Sequence, residues 1–336
     1  MRILLDENKP FFKANLHCHT TNSDGALTPE QIKAAYQSRG YSIVAFTDHE
    51  HVIDNSHLTD ENFLAINACE MAIKEFEKQS TLVNLSMRVA HLNFYAKNAN
   101  IKKTPCYSSV YDHYVNDTLR PLISHDGEYQ RTYNAQGINE IIRTANEQGF
   151  LVSYNHPTWS LENATDYLAY RGLFAVEIVN NSCIVAGNAN DEHAFDDFLR
   201  ADIPIFCTAC DDNHNHKPLD SVYSDSFGGW VCINADKLDY ESVICAMQKG
   251  DFYASTGPQI TALYVENGSV HIRTSAAQNI SLISKSRKTR SVLAEATPLT
   301  GAAFALHAQD EYFRIKVTDE HGKSAYTQAY SVKDLV

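Results

Sequence analysis

Residue types that bind metal ions recur at the ends of apolar segments in this sequence. His17 and His19 stand one residue apart and, in an extended segment, direct their imidazoles to the same side. Asp24 follows five residues later, in a Ser-Asp-Gly turn. Imidazoles combined with a carboxylate are ligands that suit Zn, Mn or Fe. This segment therefore predicts part of a metal site.

Further candidate ligands lie in or directly after later apolar segments. They are His49, Glu70, His91, His156, Asp212 and His214. For any single one of these residues, a hydrogen-bonded structural role is the more common explanation. Their recurrence at one segment after another favours a shared site, because strand ends in an α/β barrel converge on one mouth.

The elements that would position these residues alternate between strands and helices. Thr28, Pro29 and Gln31 form a capping-box helix start, and Gly40 ends that helix. Other helices are expected over 137–148, 192–200 and 240–249. Strands are expected over 11–19, 42–49, 65–72, 88–95, 150–154, 175–179 and 203–209. Seven strands that alternate with helices predict either an α/β barrel with one strand fewer than the regular eight, or a doubly wound sheet.

Two other parts of the sequence do not show this alternation of strand and helix patterns. Residues from about 98 to 137 form a polar, Tyr-rich insertion without a clear period, long enough to act as a lid. From residue 257 onward, short segments of period 2 are separated by turns, which is typical of a small all-β domain. We therefore expect a barrel domain over 1–256 and an all-β domain over 257–336.

Composition excludes several functional classes. The 336 residues include 28 basic and 41 acidic ones, giving a net charge of −13. An extended nucleic-acid surface or an anionic-membrane surface is therefore not expected. The sequence has no apolar run of about 18 residues and no signal-peptide core, so no membrane association is predicted. The eight cysteines show no paired framework, which predicts reduced thiols in a cytoplasmic protein.

Several of these motifs together resemble those of the PHP (polymerase and histidinol phosphatase) superfamily. The matching segments are His17-x-His19 with Asp24, Thr47-Asp48-His49, Glu70, Asn155-His156-Pro157 and Asp212-Asn213-His214. The resemblance implies a metallohydrolase with a distorted (β/α)7 TIM-like barrel. The segment 251–258 and the β domain after it are similar to a subgroup of phosphoesterases, and some relatives of that subgroup hydrolyse carbamate esters.

The resemblance also implies a role for each ligand. It groups them as His17, His19, Glu70 and Asp212 around one metal; Glu70, His91 and His156 around a second; and Asp24, His49 and His214 around a third. Asp24 departs from family members that have His at this position. Asp212 is preferred to Asp211 because the family motif is Asp-x-His. Two to three divalent transition metal ions (Zn, Mn or Fe) are thus expected.

The expected reaction is phosphoester hydrolysis by metal-bound hydroxide, on a small phosphorylated substrate such as a phosphomonoester or nucleotide. Glu70 is the bridging ligand, and Asp48 either orients a ligand, relays a proton or is structural. Arg131 and Lys217 are candidate substrate contacts, with surface roles as their alternatives. A carbamate or ester hydrolase and a non-catalytic metal-binding or partner-binding module are the alternative functions. The sequence makes no prediction of oligomeric state.

Overall fold

The computed structural model describes residues 1–75 and 87–335. Its strands are β1 Arg2–Leu5, β2 Phe11–Asn15, β3 Ile43–Phe46, β4 Leu64–Lys74, β5 Val89–Ala96, β6 Phe150–Tyr154, β7 Ala175–Asn180, β8 Phe206–Cys210, β9 Trp230–Asn234, β10 Phe252–Ser255, β11 Ile260–Glu266, β12 Ser269–Ala277, β13 Asn279–Ser284, β14 Arg290–Leu293, β15 Leu299–Ala305, β16 Tyr312–Thr318, β17 Ser324–Thr327 and β18 Tyr330–Ser331. Its α-helices are α1 Pro29–Gln37, α2 Ala135–Glu147, α3 Ala164–Tyr167, α4 Asn181–Val185, α5 Glu192–Arg200 and α6 Tyr240–Lys249.

Local sequence signals predicted helix starts well. Helix α1 begins after Thr28, whose hydroxyl accepts a hydrogen bond from the backbone N–H of Gln31. The Gln31 side chain in turn accepts from the backbone N–H of Thr28, which completes the predicted capping box. Helix α6 ends at Gly250, which has a left-handed φ of 76°.

The large sheet is mixed, because it contains both parallel and antiparallel pairs of strands. Its central strands run in the order β9-β2-β3-β4-β5-β6-β7-β8. The β2-β3-β4 and β6-β7-β8 neighbours are parallel, whereas β5 is antiparallel to both β4 and β6. Strand β5 therefore interrupts the succession of parallel strands that the sequence predicted.

Strands β2 and β8, although far apart along this path, approach each other just beyond their ends. The Asp212 N–H donates to the His17 carbonyl at 2.9 Å, and the His19 N–H donates to the Asn213 carbonyl at 3.0 Å. Cys18 and Asn213 form a parallel bridge. The first and last sequence-predicted ligand segments are thus joined through their backbones.

The C-terminal strands build a second apolar core. Strands β11, β12 and β15 form a four-stranded sheet with β1, and β17 extends the large sheet by pairing with β10. Strands β1, β9, β10 and β14 were not predicted from the sequence. Because β1 pairs with β11, residues from the start of the chain belong structurally with the C-terminal strands. The predicted boundary at 256/257 stays a prediction.

Arg131 lies in the core and not at an exposed lid. Its NH1 group lies 2.6 Å from Oε2 of Glu50 and donates to the Ala72 carbonyl at 2.8 Å. Its Nε and NH2 groups both donate to the Cys106 carbonyl. The predicted substrate contact of Arg131 is therefore corrected: the guanidinium is fully buried and fastens the insertion to strand β4.

Two further observations bear on the sequence predictions. All eight cysteines are unpaired thiols, as expected from their spacing. Among the described residues, no helix has both the length and the apolar composition that crossing a bilayer requires.

Candidate metal centre

The structure brings the sequence-predicted ligands together at one edge of the large sheet. Their ligand atoms form three groups: His17, His19, Glu70 and Asp212; Glu70, His91 and His156; and His19, Asp24, His49 and His214. Most of these residues follow the ends of strands. His91 lies near the start of β5 instead, opposite Ala72 of β4. Because β5 runs antiparallel, its beginning lies at the edge where β4 ends.

Glu70 lies at the centre of the cluster. One of its carboxylate oxygens is 3.2 Å from Nε2 of His17, 3.0 Å from Nδ1 of His91 and 3.3 Å from Nε2 of His156. The other oxygen is 3.2 Å from Nδ1 of His49. The carboxylate is almost fully buried. It thus touches members of all three groups.

Asp212 completes the first group. Its Oδ1 is 3.1 Å from Nε2 of His17 and 3.0 Å from Nε2 of His19. The two imidazole nitrogens are themselves 3.2 Å apart. Asp212 has a left-handed φ of 54°, a strained conformation of the kind that often accompanies functional sites.

Asp24 belongs to the third group. Its carboxylate oxygens are 3.5 Å from Nε2 of His49 and 3.6 Å from both Nδ1 of His19 and Nε2 of His214. The loop that carries it folds tightly onto the preceding strand end. A Cβ at Gly25 would lie 2.6 Å from the His19 carbonyl, so only glycine permits this approach.

The donor set fits divalent metal ions. Two ligand atoms that are each about 2.1 Å from one ion lie roughly 3 to 3.5 Å apart, which matches the spacings within the groups. Nδ1 of His19 is buried and has no hydrogen-bond partner among the described residues, although it faces the third group. Imidazoles and carboxylates without a thiolate suit Zn, Mn or Fe.

The electrostatics of the groups also favour a cation. Burial alone would lower the pKa of His17, but the carboxylates of Asp212, Glu70 and Glu177 outweigh it and hold that pKa well above its usual value. Burial likewise opposes ionisation of His49, yet Asp24 and Glu70 raise its pKa to about 9. The pKa of Asp24 is lowered, because the neighbouring histidines outweigh its burial. Burial lowers the pKa of His19 and His91 instead, so a metal ion would displace protons chiefly from imidazoles with a raised pKa, such as His17 and His49.

Glu177 and Asn180 orient ligands from outside the groups. Nδ1 of His17 lies 3.0 Å from Oε1 of Glu177, which leaves Nε2 facing the first group. Asn180 donates to Glu177 at 2.8 Å and to Asp212 at 3.0 Å. The sequence did not predict Asn180, whose only signal is its place at the end of β7.

Substitution of Glu177 by Gln is expected to weaken metal binding without removing a ligand. The amide keeps the side chain's shape but loses the charge that fixes the His17 tautomer, so affinity should fall by about 10–100-fold. Metal titration of the chelator-treated protein measures this. Exposed Glu61→Gln serves as the control, and equal affinities in both variants would contradict the orienting role.

Asp48 and Asp211 hold loops in place. Asp48 accepts hydrogen bonds from the Thr20 N–H and the Ser23 hydroxyl, both at 2.8 Å, and so fixes the loop that carries Asp24. These contacts favour a positioning role for Asp48. Asp211 accepts from the backbone N–H groups of residues 227, 228 and 229, and it belongs to none of the ligand groups.

A cavity of about 480 Å³ opens onto all three groups. Lys217 is exposed and does not line it. Sequence reasoning missed Glu50 and Lys74, which do line it. The signal for Lys74 was available, because alternation along β4 places it on the same face as Glu70.

Asp24→Asn is expected to affect one ligand group selectively. Asp24 lies in the third group alone, whereas Glu70 and His19 are shared between groups. The amide removes a negative charge and an anionic ligand, so the metal content should fall by one ion per chain while the other ions remain. Elemental analysis of purified protein measures this, with exposed Asp236→Asn as control. Loss of all metal, or of none, would contradict the assignment.

The chain is similar to known proteins in its structure but matches none by sequence family. No family model matches the sequence, and no curated protein matches it. Among solved structures, the chain resembles a two-domain protein from Bacteroides vulgatus ATCC 8482 containing a predicted PHP-like metal-dependent phosphoesterase. The identity is 13%, 98% of both chains is covered, and the TM-score is 0.45.

Two further solved structures match parts of the chain. A proposed metal-dependent phosphoesterase from Bifidobacterium adolescentis ATCC 15703 is 15% identical over 62% of this chain and 91% of its own, with a TM-score of 0.38. An amidohydrolase from Chromobacterium violaceum, with bound sulfate and no metal, is 12% identical over 60% of this chain and 87% of its own, with a TM-score of 0.36. Two of the three structures are thus named as metal-dependent phosphoesterases, and one of these names includes the term PHP-like.

Proposed function

We propose that this chain is a PHP-type metal-dependent phosphoesterase that hydrolyses a small phosphorylated substrate. The observation that carries the proposal is the convergence of three His/Asp/Glu groups, two buried and one half-buried, that Glu70 contacts at the base of one cavity. In this proposal the strands from β2 to β8 form a distorted (β/α)7 barrel, with β2 and β8 meeting at the site. Two to three ions of Zn, Mn or Fe occupy the groups.

The residues of the chain have distinct tasks in this proposal. Bound divalent ions lower the pKa of water and neutralise charge on a phosphoryl oxygen. His17 presents Nε2 to the first group because Glu177 holds Nδ1. Asn155 donates to Glu70 at 2.9 Å and thereby fixes the shared carboxylate. Overall, a water oxygen forms a bond to phosphorus, the ester P–O bond breaks, and the leaving oxygen takes up a proton.

A carbamate or ester hydrolase is the second candidate. The observation that favours it is the shortage of cationic side chains in the described cavity wall, where Lys74 is the one lysine or arginine. A neutral ester or carbamate group needs no cationic side chain beside the metals, whereas a phosphate dianion benefits from one.

One experiment separates the candidates. Purified protein is stripped with a chelator, reloaded with Zn²⁺, Mn²⁺ or Fe²⁺, and assayed for phosphate release from phenyl phosphate and for phenol release from a phenyl carbamate. The phosphoesterase proposal expects metal-dependent phosphate release. Turnover of the carbamate alone would replace it by the second candidate. A protein that binds no metal and hydrolyses neither compound would contradict both.

A further inference from the structure

The cavity above the ligand groups has an unusual lining for a site that receives anions. Beyond the ligands, its described wall is largely apolar and aromatic, with contributions from Val89, Tyr111, Tyr114, Trp159 and Leu161. Among the described residues that line it, none is an arginine and only one is a lysine. A second phosphate or other highly charged group placed against this wall would lose hydration and would find Lys74 as the one lysine or arginine partner in the described lining.

Aromatic rings adjoin the ligand imidazoles directly. The ring of Trp159 lies 5.1 Å from that of His91 and 4.9 Å from that of His156. The ring of Tyr114 lies 5.0 Å from that of His49, on another side of the cluster. Trp159 is 45% exposed, so part of its surface is free to contact a ligand. Aromatic faces of this kind bind flat, apolar groups.

Lys74 lies in the cavity wall at the end of β4, several residues along the strand from Glu70. Glu70 and Lys74 are four residues apart on β4, which corresponds to roughly 13 Å along a strand. Alternation places both side chains on the face that lines the cavity. The ammonium group lies 5.5 Å from the ring centroid of Tyr111. Among the described residues, no carboxylate forms an ion pair with this ammonium group, and Lys74 lines the cavity that a ligand would enter.

We propose that the organic part of the substrate is an elongated aromatic group with a single carboxylate at the end opposite the hydrolysed bond. The reacting group lies at the metals, the aromatic body lies against Trp159 and Tyr114, and the carboxylate pairs with Lys74. One ammonium group matches one negative charge, whereas the additional phosphates of a nucleoside polyphosphate would find no second lysine or arginine in the described wall. This inference rests on the proposed hydrolytic function, since it assumes that the bond to be broken lies at the ligand groups.

Product binding tests the inference independently of turnover. The probes are 4′-hydroxybiphenyl-4-carboxylate and 4-hydroxybiphenyl, which differ by the carboxylate, and the readout is isothermal titration calorimetry on the metal-loaded full chain. The carboxylated probe should bind about 10-fold more tightly to the unmodified protein, because it gains one charge-assisted hydrogen bond. The preference should disappear in Lys74→Met and persist in Lys74→Arg. Lys237→Met, an exposed lysine outside the cavity, is the control.

The outcomes distinguish this inference from the proposed function. Equal affinities for the two probes in the unmodified protein, or a preference that survives in Lys74→Met, would overturn the inference. Hydrolysis of biphenyl-4-yl phosphate without any preference for the carboxylate would support the phosphoesterase and overturn the inference. A Lys74-dependent preference without phosphate release would support the cavity assignment while contradicting the phosphoesterase.

Discussion

Replacing Glu70 by Gln is expected to abolish metal-dependent turnover, lowering kcat/KM by more than about 100-fold. Substituting a residue that only orients a metal ligand already lowers metal affinity or activity by about 10–100-fold. Glu70 is itself a candidate ligand shared between two groups, so its substitution should have a larger effect. Its carboxylate lies within 3.5 Å of five histidines: His17, His19, His49, His91 and His156. The amide has nearly the same size but no charge and only one acceptor oxygen.

The measurements are kcat/KM with a saturating metal and the number of ions per chain. We expect the metal content of Glu70→Gln to fall by at least one ion while circular dichroism shows an unchanged fold. Glu61→Gln, at an exposed position, should retain both activity and metal. A Glu70→Gln variant that kept its full metal content and turnover would refute the shared-ligand role.

Replacing Arg131 by Met is expected to destabilise the protein by about 3–5 kcal/mol, the usual cost of removing one partner of a buried ion pair. Glu50 would keep a buried carboxylate without its cation, and the Ala72 and Cys106 carbonyls would lose their donors. The guanidinium also stacks over Tyr111, with its carbon 4.5 Å from the ring centroid. The insertion that contributes Tyr111 and Tyr114 to the cavity should therefore loosen.

Urea denaturation with matched variants checks this prediction. Arg143 forms an exposed pair with Glu147 on α2, so Arg143→Met should leave the urea midpoint nearly unchanged. Adding Glu50→Gln to Arg131→Met should recover part of the loss, because the unpaired charge is removed. A midpoint for Arg131→Met equal to that of Arg143→Met would show that the buried pair does not support the fold.

The sequence by itself determined the residue types of the candidate site and most of the local elements. His17, Glu70 and Asp212 were predicted as ligands because ligand types recur in or directly after apolar segments, and that pattern is local. The start of α1 was readable from Thr28 and Gln31 because a capping box involves only neighbouring residues. The preference for Asp212 over Asp211 came from the family motif, and it agrees with the observed grouping.

The tertiary structure decided everything that depends on contacts between distant segments. Arg131 looked like a solvent-facing lid residue, yet its partner Glu50 lies 81 positions earlier in the sequence and holds it in the core. The antiparallel direction of β5, which brings His91 to the site from a strand's beginning, leaves no local signal. Alternation along β4 gives Lys74 its face, but the cavity around it forms only when the insertion contributes Tyr111 and Tyr114. Pairing and burial are properties of the assembled chain, so no single segment encodes them.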